Sequence, residues 1–270
     1  MSLEQFQLEL PRHAFGPRET ARAGDVWRLL QEAAIVGSSR RGWTPTRYRE
    51  SGAAFIVRRM TVVHHREAVF GEPLTIETWV STFKRGLVSH REVRVTVDGE
   101  PLVSATQEWV HVQTQPTLSP SRAAPELVDA LSPIEHGAGH VVLPLMESSE
   151  GPELCAVELQ LWHTWMDPLA HANHPAYVDW CDEAVCRRLA TQGHDPQGLV
   201  PVAEYVHYRS GATAPETVSV HTRVVGRTGD SLALTHRLVG ADGRLCATAT
   251  TLRRHLDGIE VLAASHQAPG

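Results

Sequence analysis

The chain has 270 residues, 42% hydrophobic and 21% charged, a composition that excludes a disordered protein and allows one large domain or two of ordinary size. A formal net charge of −6 argues against a nucleic-acid binder, and no apolar run approaches the roughly 20 residues that a membrane span needs. The start, MSLEQFQLELPRH, lacks the basic and apolar regions of a signal peptide, and Cys155, Cys181, Cys186 and Cys246 have no metal-ligand spacing, so reduced thiols in a cytoplasmic protein are expected.

In the first half, DVWRLLQEAAIVG places Val26, Leu29, Leu30, Ala33 and Ala34 at helical spacing, with Asp25 as the expected N-cap. AFIVRRMTVVHH is rich in β-branched residues and strand-like, and GEPLTIETWVSTF alternates. SHREVRVTV and PLVSATQEWVHVQ form a hairpin about Asp98-Gly99. The next stretch, 116–140, is broken by Pro116, Pro120, Pro125 and Pro133 and reads as a linker, within which APELVDAL is a candidate short helix.

The second half repeats the order. HPAYVDWCDEAVCRRLATQG is a helix with Pro175 suited to its first position and Gly193 to its stop. The strands LVPVAEYVHYRSG, PETVSVHTRVVGRTG, DSLALTHRLVG and RLCATATTLRRH follow, and DGRLCATAT matches DGEPLVSAT of the first half. A helix followed by an antiparallel meander, twice over, indicates a duplicated α+β unit. The expected boundaries are 1–115 for the first unit, 116–140 for the linker, 141–256 for the second unit and 257–270 for a patternless tail. The basic residues are almost all arginine, Lys84 being the one lysine; pairs such as Arg40-Arg41, Arg187-Arg188 and Arg253-Arg254 are expected on solvated surface, where they are also candidates to hold an acidic partner.

Ahead of the second helix, WMDPLAHANHPAY gathers Asp167, His171, Asn173 and His174. Each has an ordinary structural reading: Asp167-Pro168 as the start of a turn, Asn173 or His174 as a helix cap. His163, His171 and His174 lie close in sequence, but without an HExxH pattern or a cysteine pair they give no metal site, and nothing calls for a cofactor.

VWRLLQEAA, GWTP, FIVRRMTV, GEPLTIETWVS and the proline-broken linker together resemble the N-terminal half of acyl-ACP thioesterases. The resemblance implies a tandem, or double, hotdog in which each long helix is wrapped by an antiparallel sheet. It also implies hydrolysis of fatty acyl-ACP to free fatty acid and acyl carrier protein. Asp167, His171 and Asn173 fall on that family's Asp, His and first Asn, while Leu169 stands where the family has another Asn and His174 replaces the second Asn of a pair. What remains, D-P-x-x-H-x-N-x-x-x-Y, is similar to the 4-hydroxybenzoyl-CoA-type thioesterases as well, so an acyl-CoA thioester is the alternative substrate and a catalytically weak acyl-binding protein or a hotdog hydratase the alternative class.

The resemblance gives Asp167 the role of attacking the thioester carbonyl or activating water. It makes His171 a positioning group or the acid for the leaving thiolate, and Asn173 a group that orients His171 or the thioester oxygen. His174 and Tyr177 are the expected substrate-binding residues, and backbone N–H groups of Ala176 or Tyr177 the expected oxyanion donors. Glu204 and His207, on the following strand, are secondary candidates for the cleft, and Glu183 for support of the site. The first half has no such cluster, so it is expected to be non-catalytic and to shape the acyl cavity, with Trp43, Phe55 and Met60 as candidate lining. A homodimer of double hotdogs remains open.

Overall fold

The computed structural model describes residues 3–137, 139–144, 147–148, 151 and 153–263; the end of the expected tail, 264–270, lies outside the described residues. The chain divides into two compact units, Met1–Ala14 with Asp25–Val142 and Phe15–Gly24 with Leu143–Gly270. The stretch just ahead of the first helix thus belongs to the second unit.

The first unit contains β1 (Glu4–Leu8), α1 (Ala23–Arg40), α2 (Pro45–Glu50), β2 (Ala53–His64), β3 (Leu74–Lys84), β4 (Val88–Val97), β5 (Glu100–Gln113), β6 (Ser119–Pro120) and α3 (Pro125–Ala130). Its antiparallel sheet runs β1-β3-β4-β5-β2, with β6 added to β5. Trp27, Leu30 and Ala33 are fully buried at helical spacing, and Gln107 of β5 donates to the Leu30 carbonyl at 2.9 Å, so the apolar stripe of α1 lies on the sheet. Val97 pairs with Glu100 across Asp98-Gly99, whose φ values of 51° and 85° give the doubly left-handed turn expected of that dipeptide. Helix α1 begins two residues before the expected cap. Asp25 therefore sits inside its first turn and pairs with Arg28 at 3.3 Å instead of capping it.

The residues 116–140 do more than connect. Leu127 and Leu131 of the α3 region are buried in a cluster with Trp43, Val80 and Ala123, and Phe55 and Tyr48 pack against it. Trp43 and Phe55, expected around a cavity, here hold α3 onto the sheet, while Met60 is fully buried.

The second unit contains β7 (Glu147–Ser148), β8 (Glu153–Gln160), α4 (Ala176–Thr191), β9 (Leu199–Tyr208), β10 (Thr217–Thr228), β11 (Ser231–Gly240), β12 (Leu245–His255) and α5 (Glu260–Ala263). Its sheet order, β8-β10-β11-β12-β9 with β7 also on β10, repeats that of the first unit. Val178, Cys181, Ala184, Val185 and Leu189 of α4 are buried at helical spacing. The tail is packed as far as it is described: Leu262 is buried against Val185, Leu189, Leu232 and Leu234.

A buried ion-pair network ties α4 to this sheet. Arg253, fully buried, grips both carboxylate oxygens of Asp182 at 2.9 and 3.2 Å and reaches Glu204 at 2.6 Å. Arg253 is therefore a core residue, unlike the surface arginine expected, while Arg254 stays exposed opposite Asp230 at 3.5 Å. Glu204 takes part in this network rather than facing a cleft. No helix among the described residues is long and apolar enough to cross a membrane.

Candidate active site

The loop before α4 is a tight reverse turn built on Asp167. Met166 and Ala172 form an isolated antiparallel bridge, Asp167 N–H donates to the His171 carbonyl at 2.7 Å, and Ala170 N–H donates to the Asp167 carbonyl at 2.9 Å. Ala170 takes the left-handed φ of 61° that lets the chain turn. Asp167 Oδ1 accepts the backbone N–H groups of Leu169 at 2.8 Å and His171 at 3.3 Å, so half of the carboxylate does the ordinary work of a turn. Oδ2 accepts no hydrogen bond from any described residue. The same holds for the ring nitrogens of His171, and both side chains are half-buried.

The turn is held from behind by the segment joining β9 to β10. Ala172 N–H donates to the Ala212 carbonyl at 2.8 Å, and Ala212 N–H in turn donates to the Tyr177 hydroxyl at 2.9 Å. Gly211 lies so close that an added Cβ would stand 2.5 Å from the His171 ring. Arg244 braces this segment: it donates to the Gly211 carbonyl at 3.2 Å and pairs with Glu216 at 2.5 Å and Asp242 at 2.9 Å, while Glu216 also accepts from Thr213 N–H. The ion pair with Glu216 raises the pKa of Arg244 further, so the brace stays charged.

At the start of α4, Asn173 N–H donates to the Trp165 carbonyl at 2.9 Å and the Tyr208 hydroxyl donates to the His174 carbonyl at 2.8 Å. The His174 ring stands edge-on to Tyr208 with centroids 5.9 Å apart. Pro175, which offers no side-chain cap, occupies the N-cap position of α4.

The N–H groups proposed for an oxyanion are engaged, Ala176 to the Asn173 carbonyl at 2.9 Å and Tyr177 to the His174 carbonyl at 3.4 Å, because the chain enters α4 through successive tight turns. Tyr177, expected to touch substrate, is only 2% exposed and is a buried strut whose hydroxyl fixes Ala212; burial raises the pKa of that hydroxyl strongly. Glu183 lies on the exposed face of α4, paired with Arg187 at 2.7 Å.

Asp167, His171 and Asn173 thus fall in one rigid turn, as their spacing implies. Gly211, Arg244 and Glu216 were not picked out from sequence. The small residues of Ser210-Gly211-Ala212 are the one local sign that another segment approaches closely.

Residues 5–131 match the family model described as the acyl-ACP thioesterase N-terminal domain, and residues 161–260 match that of the thioesterase-like superfamily. No curated protein matches the chain in sequence. Among solved structures, one described as an oleoyl thioesterase from Lactobacillus plantarum is 20% identical with a TM-score of 0.76, covering 94% of this chain and 97% of its own. An acyl-ACP thioesterase from Bacteroides thetaiotaomicron is 13% identical with a TM-score of 0.74, covering 93% of this chain and 98% of its own. The 12:0-ACP thioesterase from Umbellularia californica is 18% identical with a TM-score of 0.72, covering 94% and 97%. At these identities the structures establish a common fold, and the two family models supply the class. The chain is a thioester hydrolase with tandem hotdogs, an acyl-ACP thioesterase N-terminal domain followed by a thioesterase-like domain.

Proposed function

We propose that the loop before α4 is the catalytic site and that its substrate is a fatty acyl group carried on acyl carrier protein. The observation that carries this reading is the asymmetry of Asp167, whose Oδ1 is fixed by two backbone N–H groups while Oδ2 accepts none from the described residues. A carboxylate held in this way is oriented without being neutralised, which suits a general base.

In the proposed reaction Oδ2 takes a proton from water as the water oxygen bonds to the thioester carbon. The carbonyl oxygen becomes an oxyanion. With the first N–H groups of α4 engaged, its donors are side chains, His171 or Asn173. Collapse restores the C=O bond and breaks C–S, and the leaving thiolate takes the proton that Asp167 gained from water, directly or relayed through His171. Free fatty acid and carrier thiol leave. The N-terminal domain match favours carrier protein over coenzyme A. On this reading the enzyme acts where acyl chain building ends.

The test is release of free thiol from a panel of acyl-ACP and acyl-CoA thioesters of graded chain length. Acyl-ACP is expected to be cleaved with the higher kcat/KM, and Asp167→Asn to remove that activity. Preference for acyl-CoA would reassign the carrier; full activity in Asp167→Asn would reassign the base.

A further inference from the structure

Arg91 of β4 is an anomaly in the core of the first unit. It points beneath α1 and is only 5% exposed. Its guanidinium donates to two neutral hydroxyls, Thr78 Oγ1 at 3.3 Å and Ser38 Oγ at 3.2 Å. No carboxylate of the described residues lies within ion-pair distance of it. A guanidinium carries five N–H donors, so two long bonds leave most of its capacity unmet. A buried cation without a counter-charge is strongly destabilising. Desolvation accordingly pushes the Arg91 pKa down to about 10.

Of the nearby acids, Glu4 acts on Arg91 only from beyond ion-pair distance and does not offset its desolvation. Glu4 is engaged by Arg41 at 2.6 Å and approached by Arg40 at 3.9 Å. The phenol of Tyr48 is neutral, its pKa raised by burial to about 12. Beside Arg91 there is a cavity of about 20 Å³, bordered by Glu4, Gly37, Arg41, Thr78 and Leu131 among others. A site needs roughly 10–15 Å³ of such volume to hold one water-sized occupant. This cavity has room for one small ion and none for an acyl chain. Its ionised lining, Arg41 and Arg91 against Glu4, carries an excess positive charge.

We propose that this cavity binds a single small inorganic monovalent anion of halide size, held by Arg91 and bordered by α1, β3 and the residues that follow α3. The anion supplies the missing counter-charge and ties these three elements together. Binding to the folded state alone raises stability with anion concentration.

The test uses the whole chain. Crystals grown in bromide are examined by anomalous scattering, and thermal unfolding midpoints are measured in chloride or bromide against equal ionic strength of gluconate, for the wild type and for Arg91→Met. The expected result is an anomalous peak in contact with the Arg91 guanidinium and a midpoint that rises with halide in the wild type but not in the variant. A water in that place with no bromide signal overturns the proposal, as does an equal halide response in both proteins. Should Arg91→Met fail to fold, the wild-type bromide crystal decides by itself.

Discussion

Gly16 occupies in the loop before α1 the place that Asp167 occupies in the loop before α4. Gly16 N–H donates to the Thr20 carbonyl at 3.0 Å as Asp167 N–H does to that of His171 at 2.7 Å. Glu19 takes a φ of 57° where Ala170 takes 61°, and the bridge Phe15–Ala21 matches Met166–Ala172. The turn is therefore copied and its chemistry is not, since glycine and threonine replace aspartate and histidine. Asp25, deeper in its helix, corresponds to neither.

From this we predict one reactive site per chain. Asp167→Asn is expected to abolish turnover with an unchanged circular dichroism spectrum and melting point, whereas Asp25→Asn leaves kcat intact. Active-site titration that counts two sites per chain would refute this division.

Gly211→Ala tests the packing behind His171. The new Cβ would meet the imidazole ring at 2.5 Å, so ring or segment must shift. We expect kcat to fall toward that of His171→Ala, for which acid–base loss amounts to roughly 10²–10⁴-fold. Wild-type kcat in Gly211→Ala would show that the ring position is not critical.

The brace is tested at Arg244. Arg244→Gln removes the ion pair with Glu216 and weakens the hold on Gly211. Its expected signature is a lower kcat with little change in KM, and partial recovery in Arg244→Lys. Equal losses in both variants accompanied by unfolding would mark Arg244 as purely structural.

In the core of the second unit, Glu204→Leu leaves Arg253 without one of its two carboxylates. Breaking a buried pair in this way costs about 3–5 kcal/mol. The double variant Glu204→Leu with Arg253→Met is expected to recover part of that loss, a coupling that urea unfolding of the two singles and the double measures directly.

His236 makes stability depend on pH. It is fully buried between Thr222 and Thr251, each hydroxyl 2.9 Å from a ring nitrogen, and burial, helped by nearby Arg253, lowers its pKa to about 3. The unfolded chain takes up this proton below about pH 6.5 while the folded chain does not, so the stabilisation is complete above that pH and is lost as pH falls toward 3. One such group gives a slope of about 1.4 kcal/mol per pH unit. The variant His236→Gln is expected to flatten the pH dependence between 6 and 4 relative to wild type; parallel curves would refute it.

What the sequence made legible was periodic or local. Trp27, Leu30 and Ala33 announce a buried helix face, Asp98-Gly99 announces its turn, and Asp167, His171 and Asn173 sit within one short loop. What escaped depends on distance. Arg253 looks like half of a surface pair because Asp182 and Glu204 reach it only after β9 and β12 have aligned beside α4. Gly211 and Arg244 acquire meaning only when the β9–β10 segment lies against the turn. Leu127 and Leu131 looked like part of a tether because proline-rich sequence does not reveal that its few apolar residues have a cluster to join. The start of α1 was misjudged because Asp25 suits both a cap and a first helical turn.

The stretch Phe15–Gly24 has a practical consequence for anyone dividing the molecule. Within the second unit, Arg18 donates to the carbonyls of Gln197 at 2.6 Å and Leu199 at 3.4 Å. No single scission of the polypeptide yields both units whole. A fragment starting at Leu143 loses these anchors, and one stopping at Val142 carries them with nothing of their own unit to grip. Separate production of the second unit therefore calls for transplanting residues 15–24, or for supplying them as a peptide and asking whether it restores the fragment's cooperative melt.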